Sequence, residues 1–402
     1  MFAKDISIPS AKIKYGLSRT IDFLSICKNP ENNFFSIQIL GTNGKGTVTA
    51  ILSQILIDAG YKVGTYSSPH LVHINERIRI NNKNILDSEI KFFLDNFYNK
   101  AKSICPSFFE LMTVMAMWYF SKEKVDFAVL ETGLGGRLDS VTACKNSILG
   151  FTSISMDHHE ILGNTMQKIA KEKAMAINSS QQVCLSVNQE LGIKRVLTRQ
   201  AEKTSTKIKF VKKQEAYQFK YLYGFHNQQN AELAKAIITE LNKTQKTNIT
   251  NAAINKSVFN TKWEGRFQIL QKHPTIIYDV AHNKSSLTCF INSFATFNKA
   301  NNYEKKYIIL AFEENKKIRT VLKKFEKHFN FIICSETNIR KSMKSEDIKK
   351  IFLKKAVIKK SLDKAIMSTI KKANKKDCIV ILGSHYIGPT LNNIFKNCFV
   401  HK

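Results

Sequence analysis

A six-residue apolar run, Phe35–Leu40 (FSIQIL), passes directly into Gly41-Thr42-Asn43-Gly44-Lys45-Gly46-Thr47. Apolar residues then recur at Val48, Ile51, Leu52, Ile55 and Leu56, which predicts a helix over about 46–59. A buried strand, a glycine-rich turn and a helix in that order constrain the chain more than any other feature. Backbone N–H groups at such a turn, added to the helix dipole, make a pocket for phosphate oxygens. Glycines let the backbone come close and adopt positive φ. Lys45 is placed to bridge β- and γ-phosphates, and Thr47 to face a divalent metal. The match to the P-loop pattern G-x-x-x-x-G-K-S/T is imperfect, because Gly46 separates Lys45 from Thr47 and the leading glycine is too close. A glycine-rich turn also occurs with no ligand; the flanking strand and helix favour phosphate.

The rest of the chain repeats the theme. Short β-rich runs alternate with helical stretches, the pattern of a parallel sheet covered by helices. Strands are expected at 61–66, 125–130 and 148–153, and helices at 108–120, 166–177 and 227–241, with Gly60 as a helix-ending glycine. A second α/β series begins near Trp263, with strands at 267–270, 275–278, 307–311, 331–334 and 378–382. No strong pattern survives over 255–264. With 402 residues, two domains are expected, 1–258 and 259–402.

Composition removes several classes. Hydrophobic residues at 43% suffice for large cores, which excludes a disordered or fibrous protein. The longest nearly apolar run, 111–120, is ten residues, against roughly 18–20 for a membrane span. The N-terminus has no basic stretch followed by an apolar core and cleavage site. The cytoplasm is therefore the expected compartment, and no membrane partner is expected. Cys27, Cys105, Cys144, Cys184, Cys289, Cys334, Cys378 and Cys398 form no CxxC pair and read as reduced core thiols. Lys+Arg 62 against Asp+Glu 32 leaves a net charge of +30. That charge fits a nucleic-acid or anionic-membrane binder, or lysines spread over solvated faces. The lysines recur along most of the chain, densest over 354–360 and 371–376, with no Arg-rich arm or zinc-finger spacing. The solvated-face reading is preferred and no nucleic-acid partner is expected, although a positive field would favour polyanions such as ATP.

The departure from the P-loop pattern is informative. GTNGKGT resembles the variant carried by Mur-type amide ligases, and within them the folylpolyglutamate synthase/dihydrofolate synthase family. The resemblance extends in order along nearly the whole chain. Ser67-Ser68-Pro69-His70-Leu71 with Glu76-Arg77-Ile78 resembles SSPHL…ERI, and Ser107-Phe108-Phe109-Glu110 a YFE helix start. Glu131 through Asp139 (ETGLGGRLD), Asp157-His158, and Ile169 through Ala174 (IAKEKA) follow. Gly265-Arg266-Phe267-Gln268, Asp279-Val280-Ala281-His282-Asn283 and Gly383-Ser384 complete the series. Val280 and Lys284 depart from the common DGAHNP form, and residues 312–316 match the family's acidic loop only weakly.

The resemblance implies an α/β architecture: an N-terminal P-loop ATPase-like Mur-ligase domain with a parallel-rich sheet, and a smaller Rossmann-like C-terminal domain contributing to ATP and glutamate binding. It implies ATP contacts from Thr42, Asn43, Gly44, Lys45, Gly46, Thr47, Asn230, Arg266 and Asp279, with the nucleotide between domains. Two Mg²⁺ ions are implied, Ser68 and Glu131 on one and His158 on the other, with a monovalent cation (K⁺) as an open point. Oxygen donors suit Mg²⁺, and a histidine is a less usual ligand. Lys173 reads from periodicity as solvated; the family implies a carbamylated lysine there, acting with Lys45 and His282 in catalysis. Dihydropteroate contacts are implied for Lys14, Tyr15, Gly16, Leu17, Ser107, Phe108, Phe109, Glu110, Leu138, Asp139 and Ser140, although Phe108 and Phe109 on an apolar helix equally fit a core. His282, Asn283 and Ser384 are implied for glutamate. The implied activity is ATP-driven joining of L-glutamate to dihydropteroate and to folates through an acyl phosphate, by a chain acting as a monomer on ATP, L-glutamate, dihydropteroate and tetrahydrofolates. Other Mur-type ligases and a basic NTP-dependent nucleic-acid-binding protein are the competing readings.

Overall fold

Strands that are apolar on both faces belong inside a parallel sheet covered by helices, and that is where this chain puts them. The computed structural model describes residues 16–212, 216–314, 318–337, 339, 341–352, 356–396 and 398–399. It divides into two compact units, Met1–Gln218 with Gln228–Thr261, and Phe219–Asn227 with Lys262–Lys402.

The first unit holds an eight-stranded sheet. Its strands are β1 (Phe35–Leu40), β2 (Val63–Tyr66), β3 (Ile78–Ile80), β4 (Lys83–Asn84), β5 (Phe127–Glu131), β6 (Ile148–Phe151), β7 (Val183–Ser186) and β8 (Ile208–Phe210). They lie in the order β4-β3-β2-β5-β1-β6-β7-β8. From β2 to β8 every pairing is parallel; β3 and β4 extend one edge antiparallel. Register brings the carboxyl ends level, since Ile39 pairs with Glu131, Leu40 with Phe151 and Tyr66 with Leu130. In an open α/β sheet such ends form the ligand crevice.

The second unit holds β9 (Gln268–Lys272), β10 (Thr275–Asp279), β11 (Lys306–Leu310), β12 (Phe331–Glu336), β13 (Ala356–Ser361) and β14 (Cys378–Leu382), in the order β13-β12-β11-β14-β10-β9. All are parallel except β9, which returns antiparallel on β10. Two mostly parallel sheets with helical crossovers are the α/β architecture that the sequence implies. Its core is aromatic: Phe290, Phe294, Phe325 and Phe329 pack together, with Phe294 and Phe329 centroids 4.6 Å apart.

Several expectations need correction. β3, β4, β7, β8 and β13 carry no expected strand, because runs of two to six residues, with lysine in β4, β8 and β13, give little period-two signal. The patternless stretch 255–264 contains the end of a helix, Asn251–Asn260, whose Ile254 and Val258 are buried and whose Ser257 hydroxyl donates to Asp58 at 2.6 Å. The cysteines are free, but Cys105 is exposed and Cys289 and Cys398 are half-buried. Cys105 follows the short turn Lys102–Ile104 at the surface, with φ 50°. Among the described residues no helix is long and apolar enough to cross a membrane.

Removing the fully buried Phe294 ring leaves its stack on Phe329 unfilled. Phe294→Ala is expected to cost about 3–5 kcal/mol, whereas Val357→Thr, on the exposed edge strand β13, should stay within about 0.5 kcal/mol. Urea midpoints of the two variants check the contrast.

Candidate active site

The phosphate-type turn is built as its composition requires. Gly44 caps the helix Lys45–Asp58 at φ 89°, a left-handed conformation that suits glycine. A Cβ there would lie 2.6 Å from the Asn230 Oδ1 atom, so Asn230, buried on the helix His226–Thr244, is packed against the turn. Thr42 N–H donates to the Ser153 carbonyl at 2.8 Å, and the Thr42 hydroxyl exchanges hydrogen bonds with Ser155, donating to its carbonyl and accepting its N–H, both at 3.0 Å. Asn43 Nδ2 donates to Ser155 Oγ at 3.0 Å. Thr47 is buried, and Lys45 Nζ folds back to donate to the Thr42 carbonyl at 3.2 Å. The turn is therefore pinned to the segment that follows β6.

Lys173 corrects the solvated reading that its neighbours suggest. It is 4% exposed on the helix Met166–Ala174, and Nζ donates to the Gly41 carbonyl at 2.8 Å and to the Gly135 carbonyl at 3.5 Å. Burial, and next the charge of Lys45, lower its pKa to about 7 against the opposing pull of Asp139 and Asp157. Gly136 makes the approach possible: a Cβ there would lie 2.8 Å from the Lys173 carbonyl oxygen. Asp139, also buried, accepts the Leu134 and Val141 N–H groups at 2.8 and 3.1 Å, and burial raises its pKa to about 6. Arg137 pairs with Glu172 at 3.1 Å.

Ser68 and Glu131 come together, with the Ser68 N–H donating to Glu131 Oε2 at 3.2 Å. Glu131 is buried at the end of β5 and Ser68 half-buried just after β2. His158 is exposed at φ 47° at the start of a short helical turn, with its N–H bonded to Asp157. Among the described residues no group of three or more His, Cys, Asp or Glu side chains is placed to hold a metal. A hydroxyl and a carboxylate make a partial hard-oxygen shell that fits Mg²⁺ with water and phosphate completing it.

Lys14 and Tyr15 lie outside the described residues. Gly16 and Leu17 lead into the helix Ser18–Ile26, whose Arg19 meets Glu110 at 2.8 Å. Ser107 and Glu110 form a capping box at the start of the helix Phe108–Lys122. Phe109 packs edge-close on Gly133 and 5.8 Å from the Tyr66 ring, while Phe108 lies under the Arg77 guanidinium at 5.2 Å; both rings are half-buried. Ser140 meets Thr113 at 3.1 Å, and Leu138 is half-buried beside Asp139.

In the second unit, Asp279 ends β10 and accepts the Phe267 and Ala281 N–H groups, each at 2.7 Å, with Arg266 one residue from the first. His282 Nδ1 is 2.8 Å from the Val280 carbonyl. A carbonyl only accepts, so Nδ1 carries the proton and Nε2 is the acceptor of the neutral ring. Asn283 caps the helix Lys284–Asn301 through Ser286. Ser384, fully buried after β14, accepts the Tyr386 N–H.

Residues 39–255 match the model of the Mur ligase middle domain, and residues 265–385 that of the Mur ligase glutamate ligase domain. The chain belongs to the Mur ligase family. Within it, the chain is similar to the dihydrofolate synthase/folylpolyglutamate synthase of Bacillus subtilis, 32% identical over 305 residues that cover 68% of this chain and 71% of that protein. That likeness places it in the dihydrofolate synthase/folylpolyglutamate synthase branch. The protein of the same description from Buchnera aphidicola (subsp. Acyrthosiphon pisum) is 29% identical over 365 residues, 87% of each chain. A solved Escherichia coli FolC in complex with DHPP and ADP has the same fold, with a TM-score of 0.86 and 23% identity over 96% of this chain and 94% of that one.

Sequence reasoning passed over several supports of this Mur ligase site. Gln38, fully buried on β1, donates to Thr132 Oγ1 and Thr142 Oγ1 at 3.0 and 2.9 Å and accepts from Asn146, anchoring the glycine loop after β5. Glu76 accepts the N–H groups of Leu71, Val72 and His73 at 2.7, 3.0 and 2.7 Å. A glutamine between Ile37 and Ile39 in a mostly apolar strand was the available signal for the first.

The depressed Lys173 pKa has a pH consequence. Near pH 7 to about 10.5 the unfolded chain keeps a proton that the folded chain has shed, so folded-state stability rises with pH across that window. Below about 7 both states are protonated and the burial penalty is fully felt. Lys173→Met is expected to remove this rise, which urea midpoints of both proteins from about pH 6.5 to about 9.5 will reveal as a shrinking advantage of the variant.

Proposed function

We propose that this chain is an ATP-dependent ligase that joins L-glutamate to dihydropteroate, giving dihydrofolate, and to the γ-carboxylate of folates, lengthening a polyglutamate tail. The observation that carries the reading is one juxtaposition. The 41–47 turn, the ETGLGGRLD loop and Lys173 are tied together by the hydrogen bonds of Lys173 to Gly41 and Gly135. Family membership narrows that phosphate chemistry to amide ligation.

A carboxylate is a poor electrophile and must be activated. The carboxylate oxygen of the pterin acid attacks the γ-phosphorus, the bond to the β,γ-bridging oxygen breaks, and ADP leaves an acyl phosphate behind. The backbone of Thr42–Thr47 and the Lys45 ammonium offset charge on the transferring phosphoryl group. The glutamate amine then attacks the acyl carbon, the carbon–oxygen bond to phosphate breaks, and the amide forms. His282, with Nε2 as an acceptor, is suited to the amine N–H, and Asn283 and Ser384 complete the glutamate-binding set. Asn230, Arg266 and Asp279 serve the nucleotide; Gly16, Leu17, Ser107, Phe108, Phe109, Leu138, Asp139 and Ser140 serve the pterin acid, with Glu110 at the start of the helix that carries Phe108 and Phe109. No protein nucleophile is required.

Ser68 and Glu131 would hold one Mg²⁺ and His158 a second. When bound, the ions screen phosphate charge and orient the γ-phosphoryl group. Lys173 suits modification: an amine with a pKa of about 7 is partly neutral at physiological pH, so its lone pair can add to CO₂. The carbamate formed is an anionic oxygen donor.

Purified protein should release ADP with dihydropteroate and with tetrahydrofolate only when glutamate and Mg²⁺ are present, and EDTA should stop it. Turnover without a pterin acid, or stimulated by DNA, would sink the reading. Lys45→Ala should lower kcat about 10²–10³-fold. Lys173→Ala should be inactive and partly rescued by acetate; full activity without rescue removes the carbamate from the scheme.

A further inference from the structure

Glu110 is the implied pterin contact whose carboxylate is most fully engaged by the protein itself. The residue is 6% exposed. Oε1 accepts Arg19 Nε–H at 3.1 Å and Arg19 Nη2–H at 2.8 Å, while Oε2 accepts Arg19 Nε–H at 3.2 Å and the Ser107 N–H at 2.6 Å. The Glu110 N–H in turn donates to the Ser107 hydroxyl at 3.4 Å. A forked guanidinium together with a backbone amide leaves a buried carboxylate little capacity for a ligand.

What the pair does hold is backbone from two separate parts of the chain. Arg19 lies in the first turn of the helix Ser18–Ile26, two residues after Leu17 and three after Gly16. Glu110 closes the capping box that sets the start of the helix Phe108–Lys122. That start orients Phe109, whose ring fills the space a side chain on Gly133 would need. The ion pair therefore ties residues 16–17 to residues 107–109 across 91 positions of sequence.

We infer that Arg19 and Glu110 are a positioning pair for the pterin acid: neither touches it, and together they set its affinity by fixing the segments on either side. The inference rests on the folate reading above. If Glu110 acts through Arg19, loss of either partner breaks the same link, so the two losses do not add. If Glu110 touches the ligand, its loss still weakens binding when Arg19 is already gone.

The test is a double-mutant cycle on the full chain, with Kd for 7,8-dihydropteroate as the readout. Arg19→Met and Glu110→Gln should each raise Kd about 5–20-fold, and the double variant should match the weaker single within about twofold. Glu110→Gln keeps an acceptor for Ser107, and KM for ATP should stay within about twofold in all three. Arg19→Lys, which keeps the charge without the fork, should fall with Arg19→Met and replaces it in the cycle if that variant does not fold. Multiplying effects, or a Kd unmoved by either Arg19 variant, overturns the inference. Wild-type protein that binds no dihydropteroate overturns instead the reading beneath it.

Discussion

The hydrogen bond from the buried Lys173 amine to the Gly41 carbonyl, 2.8 Å long, joins the helix Met166–Ala174 to the phosphate-type turn. Gly41 opens the phosphate-type turn after β1, and Gly135, the second partner of the same amine, belongs to the loop after β5. A polar link of this kind is strong because it is dry, and a dry amine is also costly to charge. The same burial that fixes the geometry thus brings the Lys173 amine down to a pKa of about 7, where a proton can come and go at neutral pH. Position and reactivity have one cause.

A second regularity runs through both units. Buried or half-buried acids hold the loops at the strand ends by accepting backbone N–H groups: Glu76 holds 71–73, Asp139 holds 134 and 141, Glu110 holds 107, and Asp279 holds 267 and 281. An ionised carboxylate is a strong acceptor for several amides at once. In a chain with 62 basic and 32 acidic residues, these acids are committed to loop geometry. Cations such as Lys91, Lys350 and Lys376 meanwhile pair with acids at the exposed surface, where such pairs contribute little to stability.

The main strands and helices were legible in the chain because their apolar runs were long. Phe35–Leu40 and Cys378–Leu382 fall where the pattern put them. The short strands were not legible, since β4 has two residues and β13 carries lysines on an edge. The candidate site divides in the same way. Its glycines, Lys45 and the ordered motifs stand out as local signals. Gln38 and the Arg19–Glu110 pair do not, because their partners lie about 90 or more residues away.

By itself the sequence determined the family, the α/β alternation and the phosphate-type turn, because each is written in neighbouring residues whose chemistry is local. Only the tertiary structure decided that Lys173, flanked by charged residues on its own helix, is buried against Gly41 and Gly135. It alone decided that Glu110 takes Arg19, 91 positions away, as the partner of its carboxylate. The physical reason is that burial and hydrogen-bond partnership are set by which strand ends the sheet order β2-β5-β1-β6 makes adjacent, and no stretch of sequence carries that adjacency alone.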